Sequence, residues 1–474
     1  MLHPAEPMTT RDKRTMWSVV AASLVVGALR WAARARIPDD YDSIGFVRGM
    51  ARFDMAALQP HFPGYPVYLA LGHALTWLGC APLTAATLVS SLAAAATAAA
   101  VWRLGCVAAD RMASANARAG GWAALALYAA AWLPWLLGGA ALSDATATAF
   151  VSIAFALFTV DGVVAAALAG VAMALAIGTR VSYWPLALSF AAVVARRPAR
   201  RAALAGAVAG TLGWLAPFVA LVGGGELMRL GRTHLYGHFT TWGGSIVTQS
   251  SVPLRLWTFA RALVYDGLFA HWAALALAAP LVAWSLVALW RSPARRAALV
   301  VALPYAAWVL IAQNVVEQPR HLLPLVTFAC VAVGAALSRR RVAAAAAVAL
   351  ALAASAPLAW QRAHTPPASA QAAAWIAARF PAPNAAAVFG GRSMRFFELV
   401  APSVVTRTRT WLSEVDVELA RLDVLPKHLW ITSEVEVDAT RARRVGDGPT
   451  FCRDARIDRA QPCLGLRAYH IAGR

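Results

Sequence analysis

Apolar runs of about 17 to 25 residues recur along this chain from Trp17 to Trp360, each long enough to cross a hydrocarbon core of about 30 Å as a helix. A segment in lipid has no water to satisfy its backbone N–H and C=O groups, so a run of this kind folds as a spanning helix. Composition agrees. The chain of 474 residues is 60% hydrophobic and only 14% charged, where a soluble chain carries roughly 25%. The expectation is a polytopic α-helical membrane protein, and a soluble all-helical protein is set aside.

The net charge of +20 invites a nucleic-acid reading, which the placement of the charge argues against. The basic residues cluster in short loops: Arg11/Lys13/Arg14, Arg103/Arg111/Arg118, Arg196/Arg197/Arg200/Arg201, Arg291/Arg295/Arg296 and Arg339/Arg340/Arg341. The positive-inside rule puts such clusters in the cytoplasm. The spans then fall at 16–34, 82–102, 119–138, 144–160, 163–179, 181–195, 202–222, 264–290, 297–313, 321–338 and 342–360, eleven in all, with the N-terminus inside and the C-terminal tail outside. The first span reads as uncleaved, because Ala33-Arg34-Ala35 is a poor cleavage site. Tyr65–Gly79 is apolar but short, and reads as a juxtamembrane or re-entrant piece; a full crossing paired with a twelfth span is the alternative.

Residues 1–15 are thus a cytoplasmic N-terminus and 16–360 a transmembrane domain, with a first outer loop at about 35–81, carrying a juxtamembrane helix, and a long outer loop at about 223–263. Residues 361–474 form a small soluble α/β domain on the periplasmic side, entered through Pro366-Pro367. There Ala385–Phe389, Val404–Arg409 and His428–Thr432 read as strands, and Arg392–Leu399 and Leu412–Leu422 as helices, which suggests a partly parallel sheet. Cys452 and Cys463 could pair there if the tail faces an oxidising compartment. The other three cysteines lie in or beside apolar segments, and no Cys/His metal spacing appears.

Of the twelve acidic residues before the tail, eight fall on the outer side: Asp39, Asp40, Asp42, Asp54, Asp144, Glu226, Asp266 and Glu317. Acidic residues do little to set orientation, so their placement points to an outward-facing acidic site. Asp39-Asp40-Tyr41-Asp42 puts three carboxylates beside a span, where charge is costly unless it is used. One of them could act as a general base or, with Asp144, hold a divalent cation such as Mg or Mn. The plainer reading is that Asp40 or Ser43 caps a helix over Ile44–Leu58, and Asp39 reads as a bystander or as part of the turn. Asp144 could likewise cap the span it opens. Pro63-Gly64-Tyr65-Pro66 is rigid with one flexible residue and sets the chain's re-entry into the membrane. His61 and Tyr65 there, His234 and His238 in the long loop, and Glu317 in Gln313–His321 are candidate substrate contacts. Arg180, Arg320 and His321 are candidate anion binders, because a guanidinium presents a planar fork matched to phosphate oxygens. Snorkelling at a helix end would explain Arg180 equally well. A base and a phosphate clamp facing outward suggest a reaction whose leaving group is a lipid-held phosphate.

These motifs resemble a known family. Asp42-Ser-x-x-Phe46 followed by His61-Phe-Pro-Gly-Tyr-Pro-Val-Tyr68 is similar to the first outer loop of the GT-C membrane glycosyltransferases, which include protein O-mannosyltransferase-like and aminoarabinose transferase-like enzymes. Leu142-Ser-Asp144 resembles their second acidic motif, and Gly178-Thr-Arg180 a recurrent stretch after a middle span. Pro319-Arg-His-Leu-Leu-Pro324 resembles an Arg-Tyr-x-x-Pro motif, with His321 where an aromatic residue is usual. The resemblance covers the membrane region. It implies a polyprenyl-phosphate sugar donor and a lipid, glycan or protein acceptor outside the cytoplasm of a bacterial cell, at the inner membrane. Asp42 would be the base, with Asp40 its rival, and Arg320 with Arg180 would hold the phosphate as it leaves with inversion. Some members need a divalent metal and others do not. The alternative function is a multi-span transporter or flippase of a lipid-linked or anionic solute; transporters usually show paired halves with broken helices, and no such internal symmetry is seen here.

Overall fold

A computed structural model describes residues 10–248, 251–383, 385–408, 428–435 and 442–471. The helices of the membrane region are α1 (Thr10–Ala32), α2 (Tyr41–Ala51), α3 (Pro66–Trp77), α4 (Pro82–Arg111), α5 (Ala117–Ala130), α6 (Trp132–Gly138), α7 (Asp144–Leu157), α8 (Val163–Thr179), α9 (Trp184–Val194), α10 (Arg200–Val222), α11 (Gly224–Gly237), α12 (Val252–Arg261), α13 (Trp272–Trp290), α14 (Ala294–Ala312), α15 (Leu323–Ala336) and α16 (Arg341–His364). The protein is a polytopic helical membrane protein with a small sheet region at its C-terminal end.

Seven stretches among the described residues are long and apolar enough to cross a membrane. The pair α5–α6, bent by 64° at Ala131, makes an eighth if it counts as one span, and α7, α8 and Val181–Val194 are shorter apolar helices. Together they occupy the eleven segments expected from sequence. Helix α3 has 12 residues, too few to span. The expected span at 264–290 is not continuous. A π-helical stretch, Ala262–Phe269, ends where Ala270 takes a left-handed φ of 50°, and the next helix restarts at Trp272, with a ring nitrogen of His271 accepting from the Ala274 N–H at 3.4 Å. Asp266, Gly267 and His271 interrupt the apolar run at this break.

Small residues let the helices approach closely, which is how packing is gained where lipid is as apolar as the side chains. A Cβ on Gly170 of α8 would stand 1.9 Å from the Ala203 carbonyl of α10, and one on Gly206 2.0 Å from that of Ala167. Hydrogen bonds mark the two ends of the bundle. At one, Arg118 meets Asp12 at 2.6 Å and Ser114 meets Ser338 at 2.7 Å, among the arginine-rich turns. At the other, Ala35 N–H donates to the Gly139 carbonyl at 3.0 Å, and this end gathers residues 35–42, 139–144, 180 and 313–322.

The C-terminal region contains α17 (Ala368–Arg379), β1 (Ala386–Gly390), α18 (Met394–Val400), β2 (Val405–Thr408), β3 (His428–Thr432), β4 (Ala442–Cys452) and β5 (Cys463–Ile471). The sheet order is β2-β1-β3-β5-β4, with β1 parallel to β2 and β3, and β5 antiparallel to β3 and β4. Three strands fall where the sequence suggests. The β4–β5 hairpin was not anticipated, because register shifts at Arg444/Gly446 and Asp447/Thr450 break the alternation of β4. The helix expected at Leu412–Leu422 lies outside the described residues. Cys452 and Cys463 are paired as a disulfide where the hairpin strands meet their loop.

Candidate active site

Asp40 takes an extended conformation and caps α2, its Oδ1 accepting from the Ser43 amide at 2.8 Å and the Ser43 hydroxyl at 2.7 Å. A short polar side chain is favoured there because it satisfies an amide that the helix cannot. The cap sets the helix so that Asp42 lies in its first turn while Ser43, Ile44, Phe46 and Met50 turn inward. Phe46 is held edge-on between Tyr65 and Tyr68, with ring centroids 4.7 and 5.2 Å away. Gly64, at φ 85°, makes this fold-back possible. A Cβ there would lie 2.6 Å from Phe218 and 2.7 Å from Met55.

A single turn, Pro319–Leu322, carries the opposing charges. Arg320 donates from Nη1 to Asp40 Oδ2 at 3.1 Å and from Nη2 to Asp42 Oδ2. The next residue, His321, receives through Nδ1 a hydrogen bond from Arg180 Nη2 at 3.0 Å. Arg180 in turn faces Asp144 Oδ2 and Ser143 Oγ, both at 3.3 Å. Asp144 is 0% exposed, Arg180 6%, and Arg320 and His321 8% each, whereas the side chains of Asp40 and Asp42 keep 27% and 24% of their surface. The first loop therefore presents its carboxylates at an accessible surface, backed by buried cations. Three polar atoms of this group, Asp144 Oδ1, Arg180 Nε and Arg320 Nε, are buried without a hydrogen-bond partner.

Histidines flank the carboxylates. His61 Nδ1 lies 3.5 Å from Asp42 Oδ1, and its Nε2 is 2.7 Å from the Tyr65 hydroxyl. The His61 ring stacks on His234 at 5.7 Å, and His234 on His238 at 6.2 Å, with interplanar angles of 12° and 13°. His234 and His238, one turn apart on and just beyond α11, bring the long loop to the first. His238 Nε2 also meets the Ala312 carbonyl at 2.7 Å.

The two half-buried carboxylates are pushed apart in acidity. Burial alone would raise Asp42, but His61 and Arg320 outweigh it and hold the carboxyl well below the usual range. Burial raises Asp40 despite Arg320, with the Asp42 charge adding to the rise. Burial lowers His61 against the opposing pull of Asp42, and lowers His234 to about 4 with help from its two imidazole neighbours.

The sequence candidates Asp40, Asp42, Asp144, Arg180, Arg320, His321, His61, Tyr65, His234 and His238 thus form one connected cluster. Glu317 stands beside it, held by Asn314 at 3.1 Å and facing Arg392 of the C-terminal region at 3.6 Å. The expectation that Asp39 is a bystander is corrected. Its carboxylate is gripped by Arg362 at the end of α16 and by Arg453 after β4, the latter at 3.0 Å. Both arginines were missed, since nothing local in the sequence links them to residue 39. Tyr305, whose hydroxyl donates to the His321 carbonyl at 2.8 Å, was missed too. Among the described residues, no group of three or more His, Cys, Asp or Glu side chains is arranged to hold a metal ion. Guanidiniums hold one oxygen of each of the carboxylates Asp40, Asp42 and Asp144, Arg320 those of Asp40 and Asp42 and Arg180 that of Asp144.

The fold as a whole, apolar helical segments followed by a small sheet region, is shared with solved structures. In particular, the chain is similar to ArnT from Cupriavidus metallidurans bound to undecaprenyl phosphate, at 15% identity and a TM-score of 0.56, over 97% of this chain and 98% of that one. The apo state of the same protein gives 15% identity and a TM-score of 0.54, over 89% and 93%. A more distant likeness, to an oligosaccharyltransferase of Archaeoglobus fulgidus, has 12% identity and a TM-score of 0.47, over 88% of this chain and 69% of that one. No protein-family profile matches the chain, and no curated protein sequence does.

Proposed function

We propose that this protein is a GT-C glycosyltransferase that moves a sugar from a polyprenyl-phosphate donor to an acceptor on the outer, periplasmic face of a bacterial inner membrane. The observation that carries this reading is the turn at Arg320-His321. It joins the accessible carboxylates Asp40 and Asp42 to the buried Arg180–Asp144 pair, so a base and two cations converge at one place. The shared fold with a protein solved with undecaprenyl phosphate supports a donor of that class.

Asp42 takes the proton from the acceptor hydroxyl or amine as that group bonds to the anomeric carbon. The bond from that carbon to the phosphate oxygen breaks on the opposite face, so configuration inverts, and the lipid phosphate leaves with the electron pair. Arg320 and Arg180 meet its developing charge, each with an unused buried Nε–H. Asp40, committed to Ser43, serves as the cap that fixes Asp42. Before the donor binds, His61 and Arg320 together suppress the basicity of Asp42. A donor phosphate competes for the same guanidinium and frees the carboxylate to accept a proton. His61, Tyr65, His234 and His238 line the approach to Asp42 as substrate contacts, with Glu317 at its edge.

The test is a strain lacking the protein, compared with one carrying Asp42→Asn at equal abundance. Accumulation of the same polyprenyl-phosphate-linked sugar in both supports the reading. A normal lipid-linked pool in both overturns it.

A further inference from the structure

The loop between β4 and β5, residues 453–462, begins and ends at the Cys452–Cys463 disulfide. Closing a loop with a covalent clip removes much of its conformational freedom. Gln461 accepts from the Ser369 hydroxyl of α17 at 3.3 Å, but most of the loop's side-chain contacts lie in the membrane region. Arg453 donates from Nη1 to Asp39 at 3.0 Å and from Nη2 to the Arg362 carbonyl at 3.1 Å. Arg456 donates to the Ala270 carbonyl at 3.2 Å, and its own carbonyl accepts from the Trp132 indole at 3.2 Å. Arg459 meets Asp266 at 2.6 Å, and Ile457 packs with Trp132, Trp135 and Leu358.

Asp39 is the point where this loop touches the candidate site. Its neighbour Asp40 caps α2 and shares Arg320 with Asp42. The side chains of Arg362 and Arg453 are each only 1% exposed, so Asp39 is held in a buried ion cluster with guanidiniums from two different elements. Adjacent Cα atoms are about 3.8 Å apart, so whatever fixes Asp39 fixes the start of the cap. A second grip comes from α18: Arg48 meets Glu398 at 3.0 Å, Arg395 donates to the Leu58 carbonyl at 3.3 Å, and Phe396 packs on Ile44.

We infer that Asp39, Arg453 and Arg362 are positioning residues for the reaction, and that the disulfide-closed loop is a strut from the C-terminal region that sets the geometry of Asp40 and Asp42. None of the three touches substrate. They hold the backbone from which the base projects, where a displacement of about 1 Å can cost on the order of a hundredfold in rate. The inference rests on the transferase reading for its effect on rate, but not for its effect on structure.

The test uses the full chain in nanodiscs with Arg453→Met, Arg453→Lys, Asp39→Asn and the Asp39→Asn/Arg453→Met pair. Two measurements are made: amide hydrogen exchange over 41–46, and transfer from lipid-linked donor extracted from cells lacking the protein. For Arg453→Met we expect exchange in the first turn of α2 to quicken at least about tenfold, while strands β1 and β3 keep their protection. Turnover should fall about ten- to a hundredfold with KM for the donor within about threefold, partial rescue in Arg453→Lys, and a double variant no worse than the more impaired single. Unchanged exchange over 41–46 overturns the strut, as does a double variant whose losses multiply. If the wild-type protein transfers nothing from any extracted polyprenyl-phosphate lipid, the transferase reading fails, and the exchange measurement still decides the strut. Should Arg453→Met not accumulate, Arg453→Lys and Cys452→Ser carry the same exchange measurement, with a smaller quickening expected and none overturning the proposal.

Discussion

Arg180 donates a hydrogen bond from Nη2 to Nδ1 of His321 across 3.0 Å. A guanidinium has no acceptor and stays charged, so Nδ1 must be the lone-pair nitrogen and the His321 proton must sit on Nε2. The side chain is fixed as a neutral acceptor that orients a cation.

His321→Gln, which keeps an acceptor, should therefore bind undecaprenyl phosphate within about threefold of the wild type. His321→Leu leaves a buried guanidinium short of a partner and should bind about tenfold more weakly. Titration with undecaprenyl phosphate in nanodiscs checks both. Equal affinities in the two variants would contradict the orienting role.

The Arg180–Asp144 pair is fully enclosed, so removing one partner strands a buried charge. Asp144→Asn should lower stability by about 3–5 kcal/mol, and adding Arg180→Gln should recover part of the loss even though the pair is gone. Thermal unfolding of the detergent-solubilised variants reads this. A double variant destabilised by the sum of the singles would count against a coupled buried pair.

The membrane architecture was legible because long apolar runs and clustered arginines are direct physical consequences of spanning lipid. The break at Ala270–His271 was not, since the expected span runs straight through Asp266 and His271, and the left-handed turn of Ala270 has no residue signature of its own. Local patterns also marked the site residues, because Asp40 and Ser43 stand at cap spacing and Arg320 lies between prolines. What no local pattern could give is pairing across the chain. Arg320 meets residues 278 and 280 positions away, and Arg453 meets Asp39 at a separation of 414. Asp39 looked idle because its partners lie at the far end of the sequence.

Asp458 in the strut loop gives a pH prediction. Burial pushes its carboxyl up to about 7; the Gln461 amide and Arg453 act against this, while Asp40 and Asp39 add to it. The folded value lies above the ordinary unfolded one of about 3.9. Folding therefore favours the protonated form, and its contribution is complete below about pH 4 and lost as pH rises through about 7. Asp458→Asn, neutral at every pH, should raise the melting temperature by roughly 5 °C near pH 8 and leave it unchanged near pH 4. Melting curves at the two pH values test it; an equal shift at both would contradict the titration of Asp458.

The central claim is that Asp42 is the base and that Arg320 passes from it to the donor phosphate. The most direct measurement compares wild type and Asp42→Asn in one nanodisc preparation, reading both transfer from the extracted lipid-linked donor and affinity for undecaprenyl phosphate. The account predicts that Asp42→Asn loses transfer by about a hundredfold or more while binding undecaprenyl phosphate as tightly as wild type or tighter, because Arg320 is no longer shared. Transfer retained within a few fold, or phosphate affinity lost together with transfer, would contradict it.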